Sequence, residues 1–148
     1  MEEKAGCIFL VDDNIVNLNT GKNVLQQKYT VVTIPSGEKL LLILKRTKPD
    51  LILLDVEMPG MTGYDTMKEL KANPDTANIP VIFLTAKDKP ENASMGLSLG
   101  ALDYITKPFS PLLLLKRIEM YLSGQSDKTK EIGEMEKNEK ASKITDNQ

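Results

Sequence analysis

Histidine is absent from the 148 residues. Its absence excludes Ser-His-Asp triads, histidine metal sites and phosphohistidine chemistry on this chain. Cysteine occurs once, as Cys7 in an apolar run. No intramolecular disulfide can form, so a reducing cytoplasm is the expected compartment. Cys7 reads as a small core residue rather than a reactive thiol. No apolar run approaches the ~20 residues a membrane helix needs. The start, Met1-Glu2-Glu3-Lys4, is too acidic for a secretory signal, and the apolar stretch after it is too short. An excess of one charge is also missing: 19 basic and 21 acidic residues leave a net charge of -2. That balance leaves no electrostatic footprint for nucleic acid. Direct nucleic-acid binding and membrane contact are therefore not expected of this chain.

What the sequence does contain is a regular alternation. It is 41% hydrophobic, enough for a core in one domain of ~120 residues. Residues 7–11 form a continuous apolar run, as expected of a strand buried on both faces. The run stops at Asp12-Asp13-Asn14, a helix-capping signal, and Ile15, Leu18 and Leu25 follow at helical spacing. Val31, Val32 and Ile34 mark a second strand, ended by Pro35. Ser36 can cap the leucine-rich helix that follows. Residues 51–54 read as a third buried strand ending at Asp55, with a loop at Met58-Pro59-Gly60 and a helix after Gly63 carrying Met67 and Leu70. Residues 80–84 form a fourth strand ending at Thr85. A helix over residues 90–99 follows, with Met95 and Leu99 inward and Gly100 as its terminator. Residues 103–106 form a short fifth strand, ended by Lys107-Pro108. A last helix starts at Pro111, with Leu112, Leu115 and Ile118 along one face. Five strands alternating with five helices indicate an α/β fold with a parallel sheet and right-handed crossovers. From Ser123 the apolar pattern stops, and residues 124–148 read as a charged tail or linker, flexible or weakly helical. No internal repeat is visible.

The informative feature is where polar side chains fall. In an open parallel sheet the carboxyl ends of all strands share one edge, and ligands bind there. Four of the five strands end in a useful group: Asp12-Asp13, Asp55, Thr85 and Lys107. Three carboxylates brought within a few Å repel, unless a cation sits among them. Hard oxygen donors without histidine or cysteine suit Mg²⁺ and argue against zinc or copper. Lys107 adds a compact positive charge and Thr85 a hydroxyl donor. Together these groups match the needs of a transferring phosphoryl group, whose charge spreads over three equatorial oxygens. Asp55 then reads as the nucleophile, forming an acyl phosphate. Taken singly each residue has a plainer role: a helix cap for Asp12-Asp13, a turn for Asp55, a structural hydroxyl for Thr85, a solvated charge for Lys107. Their joint placement at four strand ends is what favours the chemical reading.

At these residues the chain resembles the receiver domains of bacterial response regulators. The resemblance rests on Phe9-Leu10-Val11-Asp12-Asp13-Asn14, on Leu53-Leu54-Asp55-Val56-Glu57-Met58-Pro59-Gly60-Met61, on Thr85-Ala86 and on Tyr104-Ile105-Thr106-Lys107-Pro108-Phe109. It covers about residues 5–123, and no signature position is missing. The resemblance implies a doubly wound, flavodoxin-like five-stranded parallel sheet of order 2-1-3-4-5, with helices on both faces and a receiver domain over residues 1–123. It implies that Asp55 is the phosphorylation site. Asp13 would bind Mg²⁺ directly, Asp12 mostly through water, with Asp55 and the Glu57 backbone carbonyl completing the protein ligands. Lys107 would pair with the acyl phosphate and Thr85 would bond to it. Tyr104 would turn inward when Thr85 moves, and the Lys107–Pro108 bond would be cis. The Glu57 side chain and Lys87 occupy positions that vary in the family and would tune the lifetime of the phosphate.

The implied partners are a sensor histidine kinase or phosphotransfer protein as donor. An output domain or a second copy would read the face built from the fourth helix, fifth strand and fifth helix. The chain would be a signalling switch, catalysing only its own phosphorylation and dephosphorylation. One rival is a phosphorylation-independent protein-binding module on the same fold. A haloacid-dehalogenase-like phosphatase is disfavoured because its nucleophile belongs on the first strand, with the acidic cluster after it. A flavin-binding domain is disfavoured because Asp12-Asp13-Asn14 stands where a Ser/Thr/Gly phosphate loop would be.

Overall fold

The computed structural model describes residues 4–86 and 91–123. The chain divides into two compact units, residues 1–110 and 111–148. Lys87 and residues 124–148, on which two of the expectations above fall, lie outside the described residues.

In the first unit, β1 (Cys7–Val11), β2 (Thr30–Ile34), β3 (Leu51–Asp55), β4 (Val81–Ala86) and β5 (Asp103–Lys107) form one sheet in the order β2-β1-β3-β4-β5. Every neighbouring pair is parallel. The fold is flavodoxin-like α/β, as expected. Strand β3 sits in the middle with all five residues buried, which is why Leu51-Ile52-Leu53-Leu54 is apolar without alternation. Strand β5 lies at an edge, and there burial alternates: Asp103 and Ile105 in, Tyr104 and Thr106 out. The chain runs from β1 outward to β2 and returns past β1 to β3. The direction of winding therefore reverses between β1 and β3, which opens a crevice at their carboxyl ends.

Helices α1 (Ile15–Leu25), α2 (Gly37–Ile43), α3 (Gly63–Ala72) and α4 (Glu91–Ser98) connect the strands. One core gathers Phe9, Val11, Ile52, Leu54 and Phe83 from one face of the sheet with Leu40, Leu44, Met67 and Leu70. Helix α1 meets the opposite face, where Gly21 lies against the side chain of Leu10. Each fully buried Leu, Ile or Phe in these layers contributes ~1.5–3 kcal/mol.

Local signals set the helix starts. The Asn14 side chain accepts from Val16 N (2.9 Å) and Asn17 N (3.1 Å), and Ser36 Oγ accepts from Lys39 N (3.1 Å). At α3, Thr62 and Asp65 form a reciprocal capping box. These bonds hold the Asp65 carboxyl below its usual pKa. Gly100 (φ 101°) ends α4: its N–H donates to Leu97 O (3.0 Å), and the Ala101 N–H to Gly96 O (3.2 Å). That is the paired Schellman arrangement.

Met95, expected to face inward, is corrected, and Ile15 and Leu112, marked only by helical spacing, also lie outside. Ile15 is 70% exposed, because it lies in the first turn of α1 at the rim of the sheet; α1 buries Leu18, Gly21 and Leu25 instead. Met95 is 50% exposed, because α4 approaches the sheet through buried Gly96, where a Cβ would run into the Phe83 ring; Leu99 is half-buried as expected. The described part of the second unit is helix α5 (Pro111–Leu122). Leu112 is 63% exposed, and Leu114 and Ile118 are the buried pair. The spacing 112, 115, 118 drifts around a helix of 3.6 residues per turn, whereas 114 and 118 stay in line.

Candidate functional site

The crevice at the β1/β3 reversal collects the predicted residues from strands far apart in sequence. Asp12 follows β1 and is buried; Asp13 beside it is exposed. Asp55 is the buried last residue of β3, and Lys107 the last of β5. The Lys107 ammonium lies 2.8 Å from Asp12 Oδ2 and 2.9 Å from Asp55 Oδ1, bridging two carboxylates. Asp12 Oδ1 also accepts from the Asn14 N–H at 3.0 Å, which ties the acidic pair to the start of α1. One carboxylate oxygen from each of Asp12, Asp13 and Asp55 lies within 4.8 Å of the others.

These groups line a cavity of about 850 Å³, together with Asn14, Asn17, Glu57, Ala86, Pro108 and Phe109. The Lys107–Pro108 bond is cis. Thr85 is buried at the end of β4, one residue beyond the Leu84 that pairs with Asp55, and is not among the cavity-lining residues. Tyr104 pairs with Phe83 across β4 and β5, and Thr106 with Thr85. Side chains alternate between faces along a strand, so Tyr104 and Thr85 share one face as diagonal neighbours. Tyr104 is 37% exposed.

The electrostatics follow from burial and crowding. Burial is the main reason the Asp55 carboxyl is pushed up from 3.8 to about 6; the Lys107 hydrogen bond opposes it, and the charges of Asp12 and Asp13 add to it. Burial alone would lower the Lys107 pKa, but the bonds to Asp12 and Asp55 outweigh it and leave the ammonium raised. Lys107 therefore stays charged, and the Asp55 carboxyl changes state at about pH 6. One ammonium cannot neutralise three carboxylates. The surplus negative charge, with oxygen as the only donor type, fits a hard divalent cation of the Mg²⁺ kind.

Asn17 is not among the residues the sequence points to, and Phe109 enters there only as the end of the run Tyr104-Ile105-Thr106-Lys107-Pro108-Phe109, with no role of its own. Asn17 stands three residues after the Asn14 cap, and Phe109 directly follows Lys107-Pro108, so chain proximity to assigned residues was the available signal.

A doubly wound parallel sheet with an acidic cluster and a lysine at its reversal point defines a receiver-type signalling domain. Residues 8–119 match the response regulator receiver domain family, and the chain belongs to that family. It is 42% identical over 129 residues to a probable cyclic di-GMP phosphodiesterase of Vibrio cholerae, an alignment covering 86% of this chain and 29% of that protein. It is 39% identical over 112 residues to the response regulator PleD of Caulobacter vibrioides, covering 75% of this chain and 25% of that one. The chain thus spans under a third of the length of either curated relative. Among solved structures, the signal receiver domain of a signal transduction histidine kinase from Syntrophus aciditrophicus superposes with a TM-score of 0.75 at 36% identity, covering 82% of this chain and 93% of that one. None of the described helices is long and apolar enough to cross a membrane.

Proposed function

We propose that the chain is a phospho-accepting switch in which Asp55 takes a phosphoryl group from the phosphohistidine of a sensor kinase or phosphotransfer protein. The observation that carries this reading is the Lys107 ammonium held 2.8 and 2.9 Å from Asp12 and Asp55. In the transfer, an Asp55 carboxylate oxygen forms the new P–O bond. The P–N bond of the donor breaks, and its electron pair leaves with the imidazole. Asp55 must be ionised to attack; with its pKa near 6 it is ionised above neutrality. Lys107 then has a short path from Asp55 Oδ1 to a phosphoryl oxygen, where it offsets the charge that has moved outward. Asp12, Asp13, Asp55 and the Glu57 backbone carbonyl would hold Mg²⁺, which supplies further charge neutralisation at the phosphoryl oxygens.

Thr85 would supply a hydroxyl to the phosphate, and its movement would open space for Tyr104 on the face they share. The surface of α4 and β5 would then be read by a partner or a second copy. On this reading residues 1–123 form the receiver, residues 124–148 a tail or linker, and the protein works in the cytoplasm as a switch rather than a turnover enzyme.

Mass spectrometry after incubation with acetyl phosphate and Mg²⁺ tests the central assignment. One added phosphoryl group is expected on the wild type and none on Asp55→Asn. An unmodified wild type would favour a phosphorylation-independent binding module.

A further inference from the structure

Gly63 opens α3, yet nothing in the backbone conformation calls for glycine there. Among the described residues positive φ occurs only at Gly60 and Gly100. Helix propensity favours alanine over glycine. What glycine supplies is space. A Cβ at position 63 would press on the Asp55 carbonyl oxygen and would lie 3.0 Å from the Asp55 carbonyl carbon and 2.9 Å from Val56 Cα. All three are backbone atoms of the strand end and cannot swing aside. At Gly21, by contrast, the three atoms nearest to a Cβ would be side-chain atoms of Leu10, the first at 2.6 Å.

The close approach has a second consequence. The Gly63 N–H donates to the Val56 carbonyl at 2.9 Å, closing residues 56–63 into a loop. Met58 pins that loop in the core, Gly60 (φ 73°) turns it, and the Thr62–Asp65 box fixes its exit. Glu57, which lines the acidic cavity, rides on it.

We infer that Gly63 is a positioning residue for the acceptor site: its missing side chain lets α3 seat against the backbone of Asp55 and Val56. That seating sets where the Asp55 carboxylate and the Glu57 carbonyl stand relative to Asp12, Asp13 and Lys107. The inference rests on the reading that Asp55 accepts a phosphoryl group. It adds a residue that touches neither phosphate nor metal, and acts only through the backbone beside the acceptor.

The test uses the full chain and compares Gly63→Ala with Gly21→Ala, where the added methyl crowds a side chain rather than backbone, on the other face of the sheet. Four quantities are measured: metal-free urea unfolding, metal-free amide NMR shifts, Mg²⁺ affinity by calorimetry, and the rate of phosphorylation against acetyl phosphate concentration. Both variants are expected to lose stability. Only Gly63→Ala is expected to shift the Val56 and Glu57 amides, to bind Mg²⁺ about tenfold more weakly, and to lower the maximal rate by roughly ten- to a hundredfold, the scale of an ångström-sized misplacement. If Gly63→Ala does not fold, Met58→Ala, which loosens the same loop without crowding α3, is expected to weaken Mg²⁺ binding several-fold with the donor KM little changed. A wild type that is phosphorylated, alongside a Gly63→Ala (or Met58→Ala) matching Gly21→Ala in metal affinity and rate, overturns the inference alone. A wild type that accepts no phosphoryl group overturns the proposed function and the inference with it.

Discussion

Replacing Asp55 by Asn should stabilise the metal-free protein, and by an amount that depends on pH. Burial and the neighbouring acids raise the Asp55 carboxyl from 3.8 to about 6. The native state therefore holds a proton that the unfolded chain releases, and stability falls as pH rises from about 4 to about 6, then levels off. Each unit of displacement corresponds to 1.36 kcal/mol, so the ceiling is about 3 kcal/mol. The carboxylate opens onto a cavity and lies 2.9 Å from Lys107, which brings the expected gain down to ~1–2 kcal/mol. Asn keeps the shape and an oxygen to accept from Lys107, but not the charge. Urea unfolding followed by circular dichroism, in EDTA, from pH 4.5 to 8 measures this. The expected result is a variant more stable than wild type at pH 8, with the gap closing toward pH 4.5. Millimolar Mg²⁺ should narrow the gap at pH 8, by stabilising wild type more than the variant. A variant no more stable than wild type at pH 8, or a gap that ignores pH, would refute the reasoning.

Lys107→Ala removes the ammonium that bridges Asp12 and Asp55. It should slow phosphorylation by acetyl phosphate by roughly a hundredfold and move the Asp55 titration, followed by NMR, above the wild-type value. Tyr104→Ala should leave the phosphorylation rate within about twofold, yet abolish phosphorylation-dependent dimerisation or partner binding in sedimentation; retained binding would remove Tyr104 from the switch. Asn14→Ala loses the side-chain bonds to Val16 N and Asn17 N. It should cost ~1 kcal/mol and lower Tm by roughly 3–4 °C in calorimetry.

Much of this molecule is written locally in its sequence. Parallel strands buried on both faces must be continuously apolar, so β1, β3 and β4 stand out as short runs, and each stops where a polar group appears. Caps are equally local: Ser36 and Gly100 act within a few residues of themselves as expected, and of the capping run Asp12-Asp13-Asn14 it is Asn14 that caps α1. Because ligands gather at the carboxyl edge of such a sheet, listing the residues at strand ends was enough to propose Asp12, Asp13, Asp55, Thr85 and Lys107 as one group.

What depended on distant parts of the chain was decided only by the folded structure. Lys107 bridges carboxylates 95 and 52 residues away, a bond that no spacing rule contains. Thr85 reaches the strand end but stays outside the cavity lining. Ile15, Met95 and Leu112 have helical spacing yet face solvent, because periodicity gives a helix its stripe but the neighbouring layer decides which phase is covered. Gly63 looks like any turn glycine until α3 is seen resting on the backbone of Asp55. Composition and pattern determine which segments become strands and helices, since those depend on neighbours along the chain. The charge balance at Asp55 and the seating of α3 arise only when separate segments meet, since burial and Coulomb interactions depend on distance in space.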